Sequence, residues 1–223
     1  MQKTNNLKTY LTVIFVACLL IANVVTAKQI QLPFGWTMTG AIFIFPITYI
    51  LSDIFSEVYG YRWSRVTCYL AFSMNLVMVS VFQLVIATPA PEFWPNQAAF
   101  ETVLSSTPRV LLASSLGMLV GDFVNDRIFR RMKAFHKKEH KGFGGRAIFS
   151  SFGGEVADSA LFIPIAFLGT MPVEQMIVMG CLQVLLKVAY ELIIFPATNI
   201  LCKKIKKAEQ IEGFSNSTRA IRT

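Results

Sequence analysis

Charge is scarce in this chain, histidine scarcer, and the short motifs of enzyme chemistry are missing. Only 15% of its 223 residues are Asp, Glu, Lys or Arg, against about a quarter in a soluble domain. Two histidines and four cysteines leave little from which to build a metal centre. Cys18, Cys68, Cys181 and Cys202 form no C-x-x-C pair and fall in or at the ends of apolar segments, so they read as packing residues. No G-x-x-x-x-G-K-[ST] loop occurs, which excludes ATP hydrolysis by that route. No nucleophile is accompanied by a base. These absences predict a protein that is not an enzyme and carries neither cofactor nor metal. Two motifs that are present are discounted by their setting. His136-Lys137-Lys138-Glu139-His140 has the H-x-x-E-H order of some zinc proteases but sits in a lysine-rich loop, where a solvated charge run is the simpler reading. Asn216-Ser217-Thr218 fits a glycosylation sequon but falls in a tail that the charge distribution places in the cytoplasm.

What fills the chain instead is apolar: 54% of residues are hydrophobic and the mean hydropathy is +0.53. Six segments, at about 9–27, 38–59, 66–88, 108–129, 147–169 and 175–201, are long enough to cross about 30 Å of hydrocarbon. The connections are too short for a soluble domain, so the fold class is all-α: a single polytopic integral membrane domain of six transmembrane helices. The first segment lacks a convincing signal-peptidase site and is read as a retained span. Of the 21 Lys and Arg, all but Lys28, Arg109 and Lys187 fall in the loops and tails on one side. That asymmetry predicts a cell (inner) membrane protein with both termini in the cytoplasm. The net charge of +8 therefore reflects topology and attraction to anionic lipid, not a nucleic-acid footprint. Between the spans, Trp36 suits an interfacial anchor, Phe100, Val103 and Leu104 suit a short surface helix after Pro89, Pro91 and Pro95, and the tail at 208–223 is expected to be disordered.

Against this background the charges inside the spans stand out. Asp158 and Lys187 each lie near the middle of a long apolar segment, where a charge costs at least about 2.5–3.5 kcal/mol and so faces the bundle interior or a watery cavity. Glu155 and Asp158 are three apart on one helix face, behind the pair Gly153-Gly154, which lets a helix or ligand approach the backbone. Gln183, Lys187 and Glu191 form a polar stripe on the sixth span. Asp53 and Glu57 share a face of the second span, as Asp122 and Asp126 do on the fourth; both pairs lie toward the cytoplasmic ends, within reach of arginines. Asn23 and Thr26 make a weaker stripe on the first span. Pro46 and Pro164 invite comparison of the second and fifth spans as halves of an inverted repeat, but their carboxylates do not mirror each other. The excess of carboxylates suits donor-rich or cationic solutes. A guanine-like base fits, since its ring N–H and exocyclic amine can fork onto a carboxylate while a lysine or amide serves its acceptors, and Phe43, Phe45, Tyr49, Phe152, Phe162 and Tyr190 offer stacking faces. A base, a cation and a proton all remain open on these grounds.

Several segments resemble the queuosine-precursor transporter family, also labelled vitamin-uptake transporters: 23–28, 45–61 with its Asp-x₃-Glu-Val-Tyr-Gly, Gly121-Asp122-Phe123-Val124-Asn125, Gly154-Glu155-Val156-Ala157-Asp158-Ser159, and Lys187 with Tyr190-Glu191 and Pro196. The resemblance implies import of cyano- or aminomethyl-deazaguanine for tRNA queuosine salvage. Members of the family often carry Gln and Asp where this chain has Asp122 and Asn125, so an amide and a carboxylate are kept but exchanged. On that basis the expected substrate-binding residues are Asn23, Asp53, Asp122, Asn125, Glu155, Asp158, Lys187 and Glu191. Glu155 and Asp158 would take the donor edge, Lys187 the carbonyl, Asn23 and Asn125 further amide contacts, and Asp53 with Glu57 a gate or proton relay. The expected partners are the small-molecule base and membrane lipid, with an energy-coupling partner or a second copy left open. Two other readings stand beside this one: a cation- or proton-translocating carrier, and a non-transporting membrane scaffold in which the charges lock helices together.

Overall fold

The computed structural model describes residues 2–135 and 143–208; the H-x-x-E-H run, the sequon and nearly all of the C-terminal tail lie outside the described residues. Helix α1 (Gln2–Val25) leads into a small antiparallel hairpin, β1 (Gln29–Gln31) and β2 (Thr37–Thr39), with Gln29 opposite Thr39. Composition and periodicity predict only a loop here. Gly35, at φ +77°, makes the reversal at the hairpin tip. A 3-10 turn (Gly40–Phe43) then passes the chain to α2 (Phe45–Ile54), which carries on as one π-helical stretch, Phe55–Tyr59. Gly60, at φ +83°, ends it and starts α3 (Tyr61–Ala87). The run of prolines after Thr88 stops α3, and α4 (Gln97–Leu104) is the short helix that the spacing of Phe100, Val103 and Leu104 predicts. Pro108 opens the first turn of α5 (Thr107–Phe135), where a missing N–H costs nothing. Helices α6 (Phe143–Phe167) and α7 (Val173–Ala208) complete the chain.

Among the described residues, six helical traverses run between two ends of the molecule. At one end Leu7 packs with Val58, Cys202 and Ile205, and the Lys8 ammonium sits 3.4 Å from the centre of the Trp63 ring. At the other, Met38 and Ile42 pack with Val110, Phe162, Phe167 and Met176, binding the hairpin to the ends of α5, α6 and α7. Four stretches are long and apolar enough to cross a membrane: Leu7–Val25, Arg62–Ala87, Gln97–Asn125 and Val173–Ile194. The second traverse is only 10 residues of α-helix plus the 5-residue π stretch, because the hairpin and 3-10 turn take up the start of the segment. The fifth is long enough, but Glu155, Asp158 and its small polar residues dilute its apolarity. Apolar side chains turned outward, among them Val77, Leu84, Leu119, Leu185 and Ile193, would be an aggregation hazard in water and are at home in lipid. The molecule is a helical, multi-pass membrane protein.

Helix α6 is fastened at its hairpin end by a side chain from its neighbour. Pro164 interrupts the final turns, and the Arg109 guanidinium, at the start of α5, donates through Nε to the Ile165 carbonyl and through Nη2 to the Leu168 carbonyl at 2.6 Å. These are carbonyls that the ending helix leaves without partners. Gly169, at φ +84°, then turns the chain toward α7.

Candidate functional site

The charges at the centre of the molecule converge. Glu155 and Asp158, three apart on α6, present their carboxylates to α7, and the Lys187 ammonium lies between them, 2.7 Å from Glu155 Oε2 and 2.5 Å from Asp158 Oδ2. The bond to Asp158 is an aligned hydrogen bond; the contact with Glu155 is an ion pair without that alignment, and Oε2 is otherwise without a hydrogen-bond partner. Lys187 is 9% exposed, so its charge is sustained by these partners and not by water. Formally the triad carries one negative charge more than positive.

Two aromatic residues of α2 close this cluster. The Tyr49 hydroxyl is within hydrogen-bonding reach of Lys187, and the Phe45 ring centre is 5.8 Å from its Nζ, near the outer limit of cation–π attraction. Three of the other aromatic candidates go elsewhere. Phe43 and Phe152 point outward, and Phe162 packs edge-on against Phe167 in the core.

Glycines explain how α5 comes so close. Gly117 and Gly121, four apart on α5, lie against Asp158. A Cβ on Gly121 would stand 3.0 Å from the Gly154 carbonyl oxygen and 3.1 Å from Asp158 Cβ, and one on Gly154 only 2.9 Å from the Gly121 oxygen. The two backbones meet where small residues permit it, the usual device for helix contact in lipid. Gly154 thus serves close helix packing, and α5 forms a backbone wall beside Asp158. Of the Gly153-Gly154 pair, Gly153 faces the tip of the Ile128 side chain instead.

From the triad a row of carboxylates leads toward the end where α1 begins and α7 closes. Glu191 lies near Ser151 and within electrostatic range of Glu155; Asp53 is within range of Glu191 in turn. The polar stripe on α7 is graded, with Gln183 and Lys187 buried and Glu191 exposed. At that same end Glu57, on the π stretch, pairs with Lys206 near the close of α7, and Asp122 pairs with Arg65 at 3.0 Å. The side chain of Asp126 is outside the described residues.

The expected site residues thus sort into groups. Glu155, Asp158 and Lys187 form one cluster, with Glu191 and Asp53 extending it. Asn125 is half-buried, its Cβ beside Gly154 on the α5–α6 seam. Asp122 and Glu57 are surface ion pairs. Asn23 donates its Nδ2 to Asn75 Oδ1 at 3.1 Å, and Asn75 donates to the Ala71 carbonyl; this locks α1 to α3. Asn75 carries no charge to mark it in the sequence, yet a buried amide in an apolar span is a signal of the same kind. Gly117, Gly121 and Arg109 are equally unmarked, since only their neighbours reveal what they do.

A cavity of about 560 Å³ opens between α6 and α7 and is lined by residues such as Phe152, Val156, Ile163, Met176 and Leu185. Its lining is almost wholly apolar and includes none of the charged residues, so the triad is the better candidate for recognising a polar solute.

Residues 39–201, which hold every one of these charged and aromatic contacts except the two surface residues Lys206 and Lys8, match the family described as "Putative vitamin uptake transporter". A relative from Bacillus subtilis (strain 168), named "Probable queuosine precursor transporter", is 26% identical over 194 residues, covering 85% of this chain and 82% of its own. No solved structure matches. The family match takes in all six traverses except the first and the tail end of the last, and with it the chain belongs to the vitamin uptake transporter family.

Proposed function

We propose that this protein imports queuosine precursors, the deazaguanine bases that carry a 7-cyano or 7-aminomethyl group, across the cytoplasmic membrane. The observation that carries the reading is the buried lysine held between two carboxylates and flanked by Phe45 and Tyr49. The name of the Bacillus relative agrees with it. A deazaguanine presents two neighbouring N–H donors on one edge and a carbonyl beside them. Glu155 and Asp158 accept from the donors, while the Lys187 ammonium moves to the carbonyl. Such an exchange keeps every buried charge partnered before and after binding, which holds down the desolvation cost. Phe45 and Tyr49 supply faces for the flat ring, and Asn125 is near enough along the α5–α6 seam to serve a further acceptor.

In this reading all six traverses cross the membrane and both termini are cytoplasmic, as the basic residues demand. The short second helix, with its 3-10 entry and π-helical exit, is the kind of interrupted element that lines transporter sites. The Glu57–Lys206 and Asp122–Arg65 pairs close the inner end and separate when the base leaves toward the cytoplasm. Asp53 and Glu191 lie on that exit path. The surplus negative charge of the row also suits coupling to a proton or cation, which is the second reading.

Uptake decides between them. A strain unable to make queuosine precursors and lacking its own carrier, expressing this chain, is given each base at nanomolar concentration, and tRNA queuosine is read by retarded migration on a boronate gel. Restoration by at least one base is expected. Failure to restore, with the protein present in the membrane, sinks the importer reading in favour of an ion carrier.

A further inference from the structure

A second pocket, about 250 Å³, lies at the hairpin end between the hairpin tip and the first turns of α7, lined by Gly35, Trp36, Thr37, Glu174, Gln175 and Val178. Its chemistry differs from that of the apolar groove. One indole face, one carboxylate, one primary amide and one hydroxyl surround a space of the right order for a single flat heterocycle. Glu174, Gln175 and Val178 share one face of α7, the helix that carries Gln183 and Lys187 further down. Glu174 is about 13 residues from Lys187, or roughly 20 Å along the helix, so the pocket is separate from the triad. It is nonetheless connected to it. Strand β2 is buried at Met38 and Thr39 and passes through the 3-10 turn straight into Phe45, the residue whose ring faces Lys187.

We infer that this pocket is an outer capture site for the transported base, an inference that rests on the importer reading above. Trp36 stacks on the ring, the Glu174 carboxylate accepts its paired N–H donors, and the Gln175 amide serves both a donor and an acceptor. This repeats at the entrance the recognition made by Glu155 and Asp158 at the centre. A base docked here pulls on the hairpin tip, and the strand transmits that displacement to Phe45. A carrier of a dilute solute gains from such a site, because it concentrates the base beside the path to the triad.

The chain has three tryptophans, so a Trp63→Phe/Trp94→Phe background leaves Trp36 as the sole reporter. The purified full chain in lipid nanodiscs is titrated with 7-cyano-7-deazaguanine and, separately, the 7-aminomethyl base while Trp36 emission is followed. Saturable quenching is expected, and it survives Asp158→Asn, which disables the central site. Glu174→Gln weakens it about tenfold, as loss of a charge-assisted hydrogen bond does, and raises the half-saturating concentration for uptake with the maximal rate retained. The proposal is overturned if Trp36 is not quenched, if quenching disappears with Asp158→Asn, or if Glu174→Gln leaves it unchanged; Trp36 is then an interfacial anchor alone. Should the parent chain restore queuosine while Trp36 stays silent, only the outer site falls. With neither uptake nor quenching, the importer reading falls and takes the outer site with it.

Discussion

Lys187 has two carboxylate partners, and the effect of a substitution depends on what is left behind. Lys187→Ala leaves Glu155 and Asp158 facing each other without a cation. Removing one partner of a buried pair costs about 3–5 kcal/mol, so the variant is expected to melt well below the parent in detergent and to import nothing. Asp158→Asn keeps Glu155 as a counter-ion and is expected to melt close to the parent while still failing to import. Joint replacement of Asp158 and Lys187 by apolar residues of similar size is the sharper experiment. Apolar exchange of buried ion pairs is often neutral or stabilising, so thermal stability should recover while uptake stays abolished. If uptake also recovers, the charges serve only to lock helices, and the scaffold reading gains what the carrier reading loses.

At the scale of elements, two of the contacts between α5 and α6 each make a separate prediction. Along the glycine seam, a methyl group on Gly154 meets the Gly121 backbone oxygen at 2.9 Å, and backbone cannot step aside. A methyl group on Gly153 meets the end of the Ile128 side chain, which can rotate away. Gly154→Ala is therefore expected to lose about 1–3 kcal/mol, as overpacked sites do, and to cut uptake strongly, while Gly153→Ala is close to silent in both. Equal effects at the two positions would refute the seam as described. At the hairpin end, Arg109→Ala strips the part-buried Ile165 carbonyl and the exposed Leu168 carbonyl just beyond α6 of their donor, an expected loss of about 1–3 kcal/mol that falls mainly at Ile165. Arg65→Ala breaks the surface pair with Asp122, whose side chains are 36% and 47% exposed, a kind of pair worth roughly 0–1 kcal/mol. Melting curves should rank Arg109→Ala clearly below Arg65→Ala.

For the whole molecule the question is how many of the six traverses cross lipid. The four long apolar stretches are unambiguous by length and composition; the second and fifth are the shorter and the more polar. In the structure the second does run from the hairpin to the end where Lys8 covers Trp63. A reporter active only outside the cytoplasm should thus be active when fused within residues 89–95 or at Gly169, and inactive at Gly60 or after Ala208. Activity at Gly60 would mean that α2 dips into the membrane and returns, and the six-span arrangement would fail.

Much of this protein is legible in its amino-acid sequence alone. Long apolar runs can be satisfied only by helices in lipid, and basic residues are retained on one side of a membrane, so class, expected number of traverses and expected orientation follow from composition and order. The same reasoning singles out Asp158 and Lys187, because a charge among leucines has no cheap explanation. It does not tell which charges meet. Asp122 and Asp158 are both expected from the sequence to bind substrate, yet one pairs with Arg65 at the surface and the other with Lys187 inside. That outcome depends on how each helix is rotated, and the rotation is set by shape: Gly117, Gly121 and Gly154 let α5 and α6 touch on one face only. The hairpin is equally hidden, since three-residue strands carry too little pattern to be seen and exist because Met38 and Thr39 find a buried place against the helix ends. Hydrophobicity, a property of each residue by itself, determined the helical membrane class and the expected topology; contact, a property of pairs far apart in sequence, was decided only by the packed tertiary structure.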